Sequence, residues 1–233
     1  MAKSLSWLTN ESLDFPPLNS ALTEPNGLLA IGGDLTPQRI INAYKRGIFP
    51  WFNKGEAILW WSPSPRAIID FKYFKINKSL SKFIRKNNYT VSVNKCFDEV
   101  INYCANAPFR KEGTWIVDEM QQAYKQLNQL GYAHSIEVWY QEKLVGGLYG
   151  IAINGFFSGE SMFYLRSNAS KVALVSLITL LKNQNISFID CQIINPFLAS
   201  MGAIEIDRAT FIEKQQLAIM TQINPGIWQP HFL

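Results

Sequence analysis

The chain has 233 residues, of which 48% are apolar, 13% aromatic and 17% charged, with a formal net charge of +4. That length suffices for one large or two small folded units, and the composition excludes a disordered chain. No apolar run approaches the roughly 18 residues of a membrane helix, so no membrane partner is expected. The opening Met-Ala-Lys-Ser-Leu-Ser-Trp lacks the apolar core of a secretory signal, which makes the location cytoplasmic by expectation. The three cysteines, Cys96, Cys104 and Cys191, are odd in number and without CxxC spacing, and His134 and His231 are the only histidines. They read as reduced thiols, and no metal site is expected.

In chain order, Phe15-Pro-Pro, Glu24-Pro-Asn-Gly27 and Ile31-Gly-Gly-Asp34 are turn chemistry. Thr36-Pro37 opens a helix, with Thr as cap and Pro at the first position, running to about Arg46 before Gly47. Prolines 63 and 65 then punctuate the chain. A boundary near Arg66 divides a small N-terminal domain, 1–66, from a larger one, 67–233.

The larger unit predicts helices over 79–87, 97–105 and 118–130. Strands follow over 134–140, 144–153 and 156–163, the last two joined by Asn154-Gly155, a strong hairpin signal. A helix over 169–183 is apolar nearly all round and hence buried. Further strands fall at 186–192 and 203–206. The fold class is therefore α+β.

Two features carry chemistry. Between Phe71 and Phe97 lie Lys72, Lys75, Lys78, Lys82, Arg85, Lys86 and Lys95 without one acidic residue. A solvated helix face accounts for some of these, while the exclusion of acids points to a polyanion bearing phosphates. Secondly, Glu160, Asp190 and Gln192 emerge from strand patterns that are otherwise apolar. Carboxylates are rarely buried without partners, so these residues read either as a site or as hydrogen-bonding groups at strand ends. Trp51 and Trp115 stand in turn-like contexts, where a ring either stacks on a nucleobase or packs between domains. Trp60 and Trp61 are assigned to packing.

Strands, a buried helix and another strand, with polar groups on the central strands, suggest an acyltransferase of the GNAT (acyl-CoA N-acyltransferase) kind. Those enzymes grip the coenzyme A pyrophosphate with a Gly-rich turn at a helix N-terminus. Here the turn is Arg166-Ser-Asn-Ala-Ser-Lys171, without glycine, which implies a different acyl donor. An acyl-CoA-dependent N-acetyltransferase is the alternative, and a non-catalytic RNA-binding module would account for the basic stretch alone.

A set of motifs then narrows the reading: Glu24-Pro-Asn-Gly-Leu-Leu-Ala, Gly32-Gly-Asp-Leu, Arg46-Gly-Ile-Phe-Pro-Trp51, Trp60-Trp-Ser-Pro, Gly113-Thr-Trp-Ile, Leu144-Val-Gly-Gly-Leu-Tyr-Gly150, Gly159-Glu-Ser-Met-Phe163, Asp190-Cys-Gln192 and Ala199-Ser-Met-Gly-Ala203. In this order and spacing the chain resembles the leucyl/phenylalanyl-tRNA–protein transferase family. The resemblance implies a small N-terminal domain beside a GNAT-like catalytic domain. It also implies transfer of Leu or Phe, less readily Met, from aminoacyl-tRNA to proteins beginning with Arg or Lys. The product is an N-degron for Clp-type proteolysis, no cofactor is needed, and DNA is not a partner.

By the same resemblance, Asp190 and Gln192 lie at the reacting amine, Asp190 polarising Gln192 or ordering the amine directly. Glu160 meets a positive charge, either the substrate's ammonium group or the Arg or Lys side chain of the acceptor. Trp51 and Trp115 flank the terminal adenosine, and Gly159 belongs to the same aminoacyl-adenosine site. Leu148, Phe157, Met162, Leu177 and Leu181 form the side-chain pocket, and the basic residues from Lys72 to Lys86 contact the tRNA backbone. One departure is that Phe197 stands where the family usually has a His.

Overall fold

The computed structural model describes residues 5–107 and 114–233. Its strands form two sheets. A four-stranded sheet has the order β1-β2-β4-β3, from β1 (Ser6–Leu8), β2 (Leu28–Gly32), β3 (Phe49–Pro50) and β4 (Leu59–Trp61). Helix α1 (Pro37–Lys45) joins β2 to β3, with the Thr36 hydroxyl accepting from Arg39 N as the sequence predicts. The turn expected at 31–34 is shifted: Leu28–Gly32 is strand, and Gly32 and Gly33, both at positive φ, turn the chain at its end.

The second sheet has eight strands in the order β11-β5-β10-β9-β8-β7-β6-β12. These are β5 (Arg66–Asp70), β6 (Thr90–Val93), β7 (Ala133–Tyr140), β8 (Lys143–Ile153), β9 (Phe156–Tyr164), β10 (Phe188–Gln192), β11 (Ile204–Ile206) and β12 (His231–Phe232). Between them run α2 (Lys78–Lys86), α3 (Phe97–Ala105), α4 (Asp118–Gln129), α5 (Ala169–Lys182), α6 (Pro196–Ser200) and α7 (Arg208–Met220). Every neighbouring pair is antiparallel except β9 and β10. A parallel pair needs a crossover, and α5 supplies it.

Helix α5 buries Leu174, Leu177 and Leu181 among other apolar residues against one face of the sheet. Each such side chain contributes roughly 1.5–3 kcal/mol, which holds the crossover in place. The helix can close on β8 because Gly146 has no Cβ: one built there would collide with the Ala169 side chain. On the opposite face, α3 and α4 share a core with the N-terminal sheet, in which Phe15, Tyr44 and Trp60 join Val100, Tyr124 and Tyr149. Thus α+β describes the fold, with a mixed sheet and one parallel pair.

Helix α7 has no counterpart in the sequence-based expectation. Its apolar residues do not fall on one stripe: Phe211 is buried while Leu217 and Met220 are exposed. Tertiary contact fixes this helix rather than periodicity. No helix among the described residues is long and apolar enough to cross a membrane.

Candidate active site

Strands β9 and β10 run parallel but pair at a single register position, Asp190 with Ser158. Beyond it they diverge, and the gap opens into a cavity of about 640 Å³. That is the size of an ordinary small-ligand site. Glu160, two residues past Ser158 on β9, and Gln192, two past Asp190 on β10, stand on the separating strands and line the cavity.

Gln192 reaches it through a local distortion. The pairing of β10 with β5 slips between Asp190 and Gln192, and Gln192 has φ of 58°. A side chain in this left-handed region costs of order 1–3 kcal/mol, tolerated where the surroundings enforce it. The bulge re-aims the amide, whose Nε2 donates to Ser158 Oγ at 2.7 Å and lies 3.5 Å from Glu160 Oε1.

Asp190 itself does not face the cavity. It is fully buried and held by Arg66, with Nε to Oδ1 at 2.8 Å and Nη2 to Oδ2 at 2.7 Å. It also accepts from Ser158 Oγ at 2.9 Å and from the Gln192 backbone N at 3.1 Å. The expectation that Asp190 orders an amine directly is therefore corrected: its oxygens are spent on protein donors. It reaches the Gln192 side chain through Ser158. Sequence reasoning missed Arg66 and Ser158, although a single Arg opening the apolar strand Ala67-Ile-Ile69 was a signal.

Arg66 in turn ties three elements to this point. Its guanidinium lies over the Phe49 ring at 4.8 Å and the Phe211 ring at 4.5 Å, and Nη1 donates to Gly47 O at 3.2 Å. Glu160 is held from the other side. Tyr124 Oη donates to Glu160 Oε2 at 3.1 Å, and Tyr44 and Tyr124 share a hydroxyl hydrogen bond of 2.6 Å. Burial pushes the Glu160 carboxyl up to about 7, helped by the nearby Asp190 charge and opposed by the tyrosine hydrogen bonds.

Trp51 and Trp115 both line the cavity, as do Gly159, Leu148, Met162 and Leu177. Trp51 is 41% exposed, and its backbone is pinned by Trp61 Nε1 donating to its carbonyl at 2.7 Å. The other two apolar residues expected in the pocket do not line it. Phe157 stacks on Trp228 at 5.7 Å, and Leu181 is buried inside the α5 core. Phe157 shares a face of β9 with Gly159, and Leu181 a face of α5 with Leu177, so both continue the same apolar layer past the end of the cavity.

Phe197 lines the cavity, so no imidazole stands there among the described residues. His134 is elsewhere, stacked on Trp228 at 4.2 Å, with burial pushing it down to about 4. The residues Lys72, Lys75, Lys78, Lys82, Arg85 and Lys86 are exposed on α2 and the segment before it, away from the cavity lining. No group of three or more His, Cys, Asp or Glu residues placed to hold a metal occurs among the described residues. Gly113 lies outside them.

The sequence pattern described as Leucyl/phenylalanyl-tRNA protein transferase matches residues 68–216, and that of the N-terminal domain of the same description matches residues 33–64. The chain belongs to this family. A leucyl/phenylalanyl-tRNA–protein transferase of Colwellia psychrerythraea is 56% identical over 238 aligned positions, covering 100% of this chain and 99% of the relative. A namesake in Pseudoalteromonas atlantica is 50% identical, covering 96% of each chain. Another, in Erwinia tasmaniensis, is 49% identical over 98% of this chain and 99% of its own. Membership fits a cavity lined by two tryptophans and apolar walls, with the Glu160 carboxylate, the Gln192 amide and serine hydroxyls among its polar groups.

Proposed function

We propose that the chain is an aminoacyltransferase that moves Leu or Phe, and less readily Met, from aminoacyl-tRNA to proteins whose N-terminus is Arg or Lys. The observation that supports this most is the convergence of Trp51, Trp115, Glu160 and Gln192 on one apolar-walled cavity at the divergence of β9 and β10. The family's membership over nearly the whole chain supports the same reading.

In this reading the terminal adenosine sits between Trp51 and Trp115, stacking being worth roughly 1–3 kcal/mol per base. The aminoacyl side chain enters among Leu148, Met162 and Leu177, unbranched or flexible walls that suit Leu, Phe and Met. The acceptor's α-ammonium, ordinarily titrating near 7.7–8.0, meets Glu160, whose carboxyl is held up to about 7. Glu160 takes its proton, and the neutral amine attacks the ester carbonyl. The new C–N bond forms, the bond from carbonyl to ribose oxygen breaks, and the second amine proton leaves on the 3′ hydroxyl. An ester is already activated, so the protein's task is positioning and desolvation, with no cofactor in the proposed step.

Gln192 positions rather than titrates, because an amide is a very weak base. Ser158, Asp190 and Arg66 fix its orientation. The basic residues along Lys72 to Lys86 are assigned to the tRNA backbone. We assign 1–66 to the small N-terminal domain and 67–233 to the catalytic one, with Arg66, which opens β5, at the boundary. The compartment is the cytoplasm, and the product is marked for Clp-type proteolysis. Incubation with tRNA charged with labelled leucine and a model protein beginning with Arg or Lys should place label on its N-terminus. No transfer to Arg or Lys termini, or equal transfer to an acetylated terminus, would refute the reading. Label from acetyl-CoA instead would favour the acetyltransferase.

A further inference from the structure

A second concavity, of about 410 Å³, lies on the other side of the connection from β9 to α5. Its walls include Phe83, Lys86, Tyr89, Tyr140, Arg166 and Ser167, and none of the described lining residues is acidic. The aromatic rings form a continuous edge-to-face series, Phe83 to Tyr89 at 5.6 Å and Tyr89 to Tyr140 at 6.0 Å. Tyr89 Oη donates to Ser167 O at 3.1 Å, which ties the series to the loop.

Over the last ring lies Arg166, its guanidinium 3.9 Å from the Tyr140 centroid. Neither Arg166 nor Lys86 has an ion-pair partner among the described residues, and no side-chain hydrogen bond uses the Arg166 donors there. A guanidinium flattened on a ring keeps its edge donors free, and that edge matches the two oxygens of a phosphodiester. Half-buried rings with a cation at their margin suit single-stranded nucleic acid.

The cleft also adjoins the active-site cavity. Tyr164 and Ser170 line that cavity, whereas Arg166 and Ser167, between them in sequence, line this one. Two residues of extended chain span at most about 7 Å, so the two concavities are separated by little more than the loop backbone.

We propose that this cleft is a second nucleotide subsite, holding the phosphate and base just 5′ to the terminal adenosine of the donor tRNA. The inference rests on the functional reading above, since an adenosine in the main cavity sets the direction of the strand. Arg166 grips the phosphate, Lys86 neutralises the strand beyond it, and the half-buried rings of Tyr89 and Tyr140 wall the base. Its consequence is selectivity for a polynucleotide donor over an isolated aminoacyl-adenosine.

The test compares Arg166→Gln, Arg166→Lys and Ser167→Glu with the unaltered protein, using leucyl-tRNA and 3′-O-leucyl-adenosine as donors. Arg166→Gln should raise KM for leucyl-tRNA on the order of tenfold, the value of one charge-assisted contact, with kcat little changed. Arg166→Lys should recover part of this, and Ser167→Glu should exceed it. Use of leucyl-adenosine should stay as it was. An equal loss with both donors, or no loss with either, would overturn the subsite. Binding of uncharged tRNA and of adenosine, followed by fluorescence anisotropy and competition, decides it independently of turnover. Weaker tRNA binding by Arg166→Gln at unchanged adenosine binding supports the subsite, and unchanged tRNA binding sinks it. An unaltered protein that binds tRNA in this way but transfers nothing would refute the functional reading alone.

Discussion

Replacing Arg66 with Met should destabilise the fold by about 3–5 kcal/mol, read as a lower denaturant midpoint at unchanged slope. Asp190 has no exposure, and two of its contacts are the 2.8 and 2.7 Å bonds from Arg66. Methionine fills the volume between Phe49 and Phe211 but leaves a buried carboxylate without its counter-charge. Removing both charges together, as Arg66→Met with Asp190→Leu, should recover much of the loss, because the isolated charge and not the missing bond dominates. The single variant should also lose transfer activity, since the route from Asp190 through Ser158 to Gln192 then lacks its anchor. A midpoint equal to that of the unaltered protein would contradict the assignment of Arg66.

The second large effect concerns Glu160. The variant Glu160→Gln should lose on the order of 10²–10⁴-fold in kcat/KM near neutral pH, the usual worth of a positioned proton acceptor. In the unaltered protein, the rate should rise through pH about 7, where the carboxyl held up by burial ionises. In the variant, the rising limb should move to the amine's own range, about 7.7–8.0. A variant retaining both rate and profile would remove Glu160 from the chemistry.

Stability should respond with the opposite sign. Below the ordinary carboxyl value of 4.5, Glu160 is protonated folded or unfolded; between there and about 7 the folded state alone holds the proton. Folding stability is thus lost as pH rises across that window. Glu160→Gln should therefore gain on the unaltered protein at pH 8, by at most about 3 kcal/mol less what solvent screening removes, and gain nothing at pH 4.

The central elements were legible because their local signals agree with their tertiary roles. Asn154-Gly155 between apolar runs gave the β8–β9 hairpin, the all-round apolar pattern of 169–183 gave a buried helix, and Thr36-Pro37 gave a capped helix start. Short strands such as β1 and β3, and helix α7, carry no periodic pattern of their own and exist through their neighbours. The cavity residues Trp51, Trp115, Glu160 and Gln192 were legible as aromatic or polar residues out of keeping with their surroundings, reinforced by family motifs. What the one-dimensional pattern hid was direction. It could not tell that Asp190 turns towards Arg66 while Gln192, two residues on, is swung into the cavity by a bulge. Nor could it separate Phe157 and Leu181 from Leu148 and Leu177, since core and pocket wall share one chemistry. The tyrosine pair behind Glu160 joins residues 80 apart in sequence and left no local trace.

The most direct measurement is a crystal structure of the protein with a non-hydrolysable leucyl-adenosine amide. The account predicts the adenine between Trp51 and Trp115, the leucyl side chain against Leu148, Met162 and Leu177, and the carbonyl within reach of Gln192 and Glu160. Adenine bound away from both tryptophans, or a carbonyl remote from Gln192 and Glu160, would contradict it.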